Sequence, residues 1–171
     1  MSVGRLRVRA AERDDAPLIL TFIKELADYE KLGDCVSATE EKLVASLFAD
    51  EACAEVLIAE AVVDDGAMEA AGFALYFHNY STFLGQPGIF LEDLFVRSRF
   101  RGLGIGIGLL RELAKKTIER NCGRLDWMVL DWNEPTIDFY RSIGARRVDG
   151  FVPYRLTGDA LQRLAQSGQD S

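Results

Sequence analysis

Histidine is nearly absent from this chain: His78 is the only one among 171 residues, so a histidine-based catalytic triad would have to rest on it alone. Its surroundings suit a strand residue near a sheet end instead. Cysteine is scarce too. Cys35, Cys53 and Cys122 are odd in number and lack C-x-x-C spacing, which argues against a disulfide framework and against a zinc site. They read as reduced thiols, and no metal is expected. Positive charge is in the minority, with 20 Lys and Arg against 27 Asp and Glu and a formal net charge of −7. Nucleic-acid binders usually carry a basic face, so no nucleic-acid partner is expected. An acidic balance is compatible with a cationic substrate, and equally with solubility alone. Long apolar runs are missing, the longest falling well short of the roughly 20 residues a transmembrane helix needs. The stretch SVGRLRVRAAERDDA near the start is charged and alternating, unlike a secretory signal. Without internal repeats, linkers or low-complexity segments, residues 1–171 read as one soluble, cytoplasmic domain with an ordinary globular core and no membrane partner.

What is there concentrates between Ile89 and Glu119. An apolar strand, Ile89 to Val96, carries two adjacent carboxylates, Glu92 and Asp93. A basic turn with Arg97, Arg99 and Arg101 follows, then glycines at Gly102, Gly104, Gly106 and Gly108. The apolar period then becomes helical, with Leu109, Leu110, Leu113, Ala114, Thr117 and Ile118 on one face. A strand feeding a helix through glycines is a ready anion site, because the first helical N–H groups lack partners and the dipole is positive there. A plain glycine-rich turn with solvated arginines is the alternative.

Spacing discriminates among phosphate ligands. A dinucleotide fingerprint needs G-x-G-x-x-G/A, but reading from Gly102 or Gly104 puts Ile107 or Leu109 at the last position. A P-loop needs Lys and Ser/Thr after its last glycine, and Ile107-Gly108 supply neither. Arg101-Gly102-Leu103-Gly104-Ile105-Gly106, following a strand with Leu91-Glu92-Asp93, resembles the R/Q-x-x-G-x-G/A pyrophosphate loop of the GNAT superfamily of acyl-CoA N-acyltransferases.

Along the chain, Arg5 to Ala10 suits an edge-like first strand. Asp14 or Asp15 can cap the next helix, which has Pro17 in its first turn and packs Ile19, Phe22, Ile23 and Leu26. Tyr29 and Glu30 continue that stripe, unless Glu30 marks a frayed end in water. Thr39 caps a second helix to about Phe48. Glu55–Val63 and Ala71–Asn79 read as a hairpin turning through residues 64–69, and Ser81–Gly88 as a loop. Arg124–Trp132 reads as a strand, Asn133 as the cap of a short helix with Pro135 in its first turn, and Gly144 as its stop. Arg146–Asp149 and Phe151–Leu156 read as two last strands, Asp159–Ala165 as a helical turn or two, and the tail from Gln166 as disordered. The order β-α-α-β-β-β-α-β-α-β-β predicts an α/β, mixed α+β fold.

Glu92 and Asp93, neighbours in a strand, should point to opposite faces. A covered central strand tolerates two ionised groups only with partners or a wet cleft. An ordinary ion pair on a solvated face would also account for Asp93. Asn133 and Tyr140 are seven apart and share a helix face, where one can be simply a cap and the other simply a core aromatic.

These residues tighten the resemblance. Tyr29-Glu30 after K-E-L-A, Leu91-Glu92-Asp93, the Arg101 loop, Trp132-Asn133-Glu134-Pro135, Phe139-Tyr140 and Gly144-Ala145 are similar to diamine (spermidine/spermine) N-acetyltransferases and their thialysine-acetylating relatives. The similarity runs from about Arg7 to Ala165. It implies the GNAT fold: a mostly antiparallel mixed sheet of six or seven strands, flanked by helices and splayed into an acyl-CoA cleft. It implies acetyl-CoA as co-substrate along Leu94, Phe95 and Val96, the loop Gly102, Leu103, Gly104, Ile105, Gly106 and Ile107 with Arg101, and Asn133, Glu134, Pro135 and Thr136. Tyr140 would protonate the leaving thiolate, and Tyr29, Glu30 and Glu92 would face the amine, with Asp93 anchoring a distal charge beside Glu30. Glu92 would also take the ammonium proton through water, a carboxylate being about six units less basic than a Lys-like amine. Backbone N–H groups near Leu94 would hold the oxyanion. The resemblance implies a homodimer. Val152 replaces an acid of the polyamine enzymes, Tyr154 replaces a Trp, and the loop Phe83–Gly88 differs, which favours a shorter or amino-acid-like primary amine. A silent acyl-CoA-binding domain, a protein amine as acceptor, or a nucleotide module are the competing readings.

Overall fold

The computed structural model describes residues 6–63 and 66–167. The chain divides into two compact units, Met1–Met128 and Val129–Ser171.

The first unit is a five-stranded sheet in the sequential order β1-β2-β3-β4-β5, formed by β1 Leu6–Ala10, β2 Glu55–Val62, β3 Met68–Ser81, β4 Gln86–Val96 and β5 Leu125–Trp127. β1 to β4 pair antiparallel, and β5 joins β4 in parallel. Helices α1 Ala16–Tyr29 and α2 Glu40–Leu47 lie before β2, and α3 Ile105–Glu119 lies between β4 and β5. The last position of the parallel strand is reached through α3, as a parallel connection requires.

One core layer joins Ile19, Leu20 and Phe22 of α1 and Leu43 of α2 to Val56, Ile58, Phe73 and Phe95 of the sheet. Phe22 stacks on Phe73 with ring centroids 5.3 Å apart and planes within 3°. Burying such a ring stabilises the fold by about 2–3 kcal/mol, so the aromatic pair is a principal weld between α1 and the sheet. On α3, Ile105, Leu109, Leu110, Leu113 and Thr117 are buried. Ala114 and Ile118, which the helical period assigned to this face, are exposed, because the buried stripe follows Ile105, Leu109, Leu113 and Thr117 and they lie about 100° round from it. Arg120, at the end of α3, stacks over the Tyr76 ring of β3. Phe73 and Tyr76 are three apart in one strand and so face opposite sides, which puts α1 and α3 on opposite faces of the sheet.

Of the two caps expected in this unit, one forms. Thr39 accepts from Lys42 N at 3.3 Å and starts α2. Asp15 stands at the N-cap of α1 but its carboxylate serves Arg9 and the Glu12 N–H instead. The loop expected over Ser81–Gly88 contracts to a tight turn, with β4 already paired from Gln86.

The second unit contains α4 Glu134–Ser142 and α5 Gly158–Gln166. The two last expected strands, Arg146–Asp149 and Phe151–Leu156, are irregular, and the strand expected over Arg124–Trp132 is paired only over Leu125–Trp127. The sheet therefore has five strands among the described residues, where six or seven were expected. A strand exists by pairing, and Val152 and Tyr154 are 72% and 95% exposed, so their β-type composition has nothing to act on. The tail beyond residue 167 lies outside the described residues; Gln166 is the last residue of α5, contrary to the expected disorder there.

Candidate active site

The site is built on an irregularity in β4. Leu75 pairs with Asp93, but the next residue, Tyr76, pairs with Leu91, so Glu92 is the extra residue of a β-bulge. The bulge inverts the strand. Leu91 sits opposite Tyr76 and Phe95 opposite Phe73, placing two residues of the same parity on opposite faces. Simple alternation across Glu92 and Asp93 therefore fails. Asp93 shares the α1 face with Leu75 and Phe95, while Glu92 is exposed.

Three carboxylates interact here. Asp93 is pushed up from 3.8 to about 6, first by burial and then by the charges of Glu92 and Glu30. Burial also pushes up Glu30, which stands at the C-cap of α1. None of the three takes part in an ion pair among the described residues. Uncompensated carboxylates in one half-buried place are costly, and a cationic ligand is the chemistry that would relieve them.

Beyond the bulge, β4 opens. Its pairing with β5 runs only from Ile89↔Leu125 to Leu91↔Trp127. From Glu92 to Val96 the β5-side edge has no strand partner among the described residues, leaving main-chain donors and acceptors for a ligand. Phe95 spends its side chain on the core, so its ligand-facing part is backbone. The edge leads to Gly102 and Gly104, with φ of 74° and 82° in the left-handed region that favours glycine. Gly104 is the N-cap of the fifteen-residue α3, which has neither a side-chain cap bond nor an acid in its first turn. Its free N–H groups suit a phosphate. Ile105 is buried, so it too can offer only backbone, while Gly102, Leu103, Gly106 and Ile107 are accessible.

The three arginines before this loop are not equivalent. Arg97 binds Glu25 through Nε and Nη2 and the Ala70 carbonyl at 2.9 Å through Nη1, and Arg99 pairs with Glu69. Arg101 alone has no carboxylate partner among the described residues; its Nε donates to the Val96 carbonyl at 2.9 Å and its guanidinium lies 4.3 Å from the Tyr29 ring centroid. Tyr29 is 39% exposed and does not continue the buried stripe of α1.

In the second unit, Asn133 precedes α4 but its side chain makes no cap bond, correcting the capping role. Asn133 is buried and its Oδ1 has no hydrogen-bond partner, an orphan acceptor that an N–H of a bound molecule would satisfy. Glu134 and Pro135 are exposed, and Thr136 is half-buried. Tyr140 is buried, packs its ring on Phe139 at 5.5 Å, and is pushed up to about 12 by burial. It holds its proton at neutral pH and has it to give.

Thus Glu30, Glu92 and Asp93 come together at the bulge, while Tyr29, next to Glu30 in the chain, sets its ring against Arg101. The bulge itself escaped the sequence; two adjacent carboxylates inside an apolar strand were its only trace. Among the described residues, no group of three or more His, Cys, Asp or Glu is placed to hold a metal ion. No described helix is long and apolar enough to cross a membrane.

Known proteins resemble this chain over most of its length. The family model described as the acetyltransferase (GNAT) family matches residues 22–145. A thialysine N-epsilon-acetyltransferase of Sus scrofa is 36% identical over 164 residues, covering 92% of this chain and 96% of the relative. An L-ornithine N5-acetyltransferase of Arabidopsis thaliana is 30% identical, covering 92% of this chain and 87% of that one. Among solved structures, an integron cassette protein from the mobile metagenome of V. cholerae superposes with a TM-score of 0.76 at 31% identity, covering 95% of this chain and 98% of the other.

Proposed function

Because this chain belongs to the GNAT acetyltransferase family, we propose that it transfers the acetyl group of acetyl-CoA to the primary amine of a small, cationic, diamine-like or amino-acid-like acceptor, in a ternary complex. The chain is an N-acetyltransferase, and relatives similar over most of its length are named for thialysine and for L-ornithine. One observation carries the choice of a cationic acceptor: the β4 bulge, which sets unpaired carboxylates beside an open main-chain edge.

Acetyl-CoA supplies the acetyl group as an activated thioester. We assign its backbone-binding edge to Leu94, Phe95 and Val96 and its phosphates to Arg101 and the loop Gly102–Ile107. The orphan acceptor on Asn133 supports a further contact there, next to Glu134, Pro135 and Thr136. Glu92 takes a proton from the ammonium, through water, so that the nitrogen gains a lone pair for attack. N–H groups of the bulge polarise the thioester carbonyl and hold the oxyanion. As the C–N bond forms and the C–S bond breaks, the Tyr140 hydroxyl gives its proton to the departing sulfur; the nitrogen sheds its second proton to become the amide, and through water that proton restores the tyrosine. Asp93 and Glu30 receive the acceptor's distal positive charge.

We assign both units to one acetyltransferase domain that works as a homodimer. The exposed apolar side chains of Phe151, Val152 and Tyr154 support an assembly, and sedimentation at twice 19.0 kDa is the expected outcome. Three free cysteines support a reducing, cytoplasmic compartment.

The test is thiol release from acetyl-CoA with a panel of thialysine, ornithine, lysine, short diamines, spermidine and a peptide N-terminus. One small amine should turn over well above the rest. Tyr140→Phe should then lower kcat by about 10²–10⁴ with acetyl-CoA affinity unchanged. Equal loss of turnover and binding would assign Tyr140 to packing instead.

A further inference from the structure

We propose that Tyr29 is a positioning residue for Arg101, its ring holding in place the guanidinium that grips the phosphates of the co-substrate. The inference rests on the assignment of those phosphates to the loop that Arg101 opens, and it takes Tyr29 away from the acceptor amine, where the family resemblance had placed it.

Of the three arginines at this turn, Arg97 and Arg99 are neutralised by Glu25 and Glu69. Arg101 is the one whose charge is left for a ligand among the described residues, and it stands next to Gly102 and the uncapped start of α3. An exposed arginine with no acid to hold it would sample many rotamers, and a phosphate would have to select one of them. Two contacts remove that freedom. The guanidinium carbon lies over the Tyr29 ring, 4.3 Å from its centroid, and Phe95 adds a second ring at 5.9 Å. The Nε–H bond to the Val96 carbonyl, at 2.9 Å, fixes one in-plane edge. Stacking uses the face of a guanidinium and leaves its terminal N–H groups, the fork that matches a phosphate.

The position of Tyr29 explains why this residue does it. It is the last residue of α1; Glu30 caps the helix and Lys31, at φ 61°, turns the chain away. The ring is therefore carried on a rigid helix end welded to the sheet through Phe22 and Phe73. With Phe95, Arg97 and Arg101, and with Glu25 and Asp28 on its α1 side, it lines an open groove of about 590 Å³. The site of the cation is thus set by the core of the first unit and not by the loop alone.

The test compares coenzyme A with pantetheine, which lacks the phosphates, as dead-end inhibitors and in direct calorimetric titration. In Tyr29→Leu, coenzyme A should bind about tenfold more weakly, while pantetheine should bind as before. Tyr29→Phe, which keeps the ring, should restore affinity to within about twofold. Arg101→Lys, which keeps the charge but not the planar face, should resemble Tyr29→Leu. Weakening of coenzyme A and pantetheine alike in Tyr29→Leu, or a raised amine KM, would make Tyr29 a wall of the acceptor site and overturn the proposal. If Arg101→Ala weakens coenzyme A while Tyr29→Leu does not, the loop assignment stands and the positioning role falls. If Arg101→Ala leaves coenzyme A unaffected, both fall together.

Discussion

Glu55 and Asp93 are carboxylates half-buried in the same sheet, and they meet opposite fates. Glu55 is gripped by Arg120 through both oxygens and accepts the Tyr76 hydroxyl at 2.9 Å, which holds it below the usual carboxylate range. Asp93 has burial and two neighbouring carboxylates, and it is pushed up to about 6. A matched carboxylate ties β2, β3 and the end of α3 together; an unmatched one makes the folded chain less stable and readier to bind a cation. The arginines repeat the contrast with the sign reversed, Arg97 and Arg99 being matched and Arg101 not. Matching marks what belongs to the frame, and its absence marks what waits for a ligand.

Removing the unmatched acid should have the largest effect. In Asp93→Asn the KM of the amine should rise by about 10–100-fold near pH 7.5, since a charged hydrogen bond to the acceptor is lost, while the melting temperature should rise. The linkage has a definite sign. A folded-state value of about 6 against 3.8 means that the stability due to the neutral form is complete below about pH 4 and is lost as pH rises to about 6. The thermal advantage of Asp93→Asn should therefore grow between those two values and then level off, at no more than about 3 kcal/mol. A variant that melts lower at neutral pH would place a cation against Asp93 and end the contrast. Next in size is Glu55→Gln, where about 1 kcal/mol of stability should go, discounted because both partners are partly exposed, with steady-state constants intact. Glu55 is depressed, so its contribution is present above about pH 4.5 and is lost as pH falls through its lowered folded value. Denaturant titration at pH 4 and 7 checks this. Smallest should be Arg99→Gln, whose pair with Glu69 lies on the surface: at most about 0.5–1 kcal/mol, and no change in coenzyme A affinity. A several-fold loss of that affinity would show that matched arginines also serve the phosphates.

How much of this was readable beforehand follows the range of the interactions. The strand, glycine turn and helix from Ile89 to Glu119 are encoded in neighbouring residues, and so is the hairpin of β2 and β3, while the tight β3–β4 turn reads as a loop in the sequence. The bulge is not: only the cross-strand partners of Leu91 and Phe95 reveal that their parity is broken. Nor are the matched arginines legible, since Glu25 is 72 residues from Arg97 and Glu69 is 30 from Arg99. Phe151–Leu156 has the composition of a strand, but pairing needs a neighbour and composition does not supply one. Asn133 looked like a helix cap because its position is that of one, while its side chain does something else.

The open edge of β4 is written in peptide groups and not in side chains. Between Glu92 and Val96 the amides and carbonyls stay on offer whichever side chain stands there, although Glu92, Asp93 and Phe95 have side-chain duties of their own. Proline is the exception, because it deletes the donor itself. A position can thus be constrained twice over, by the duty of its side chain and by a donor that every residue but proline keeps.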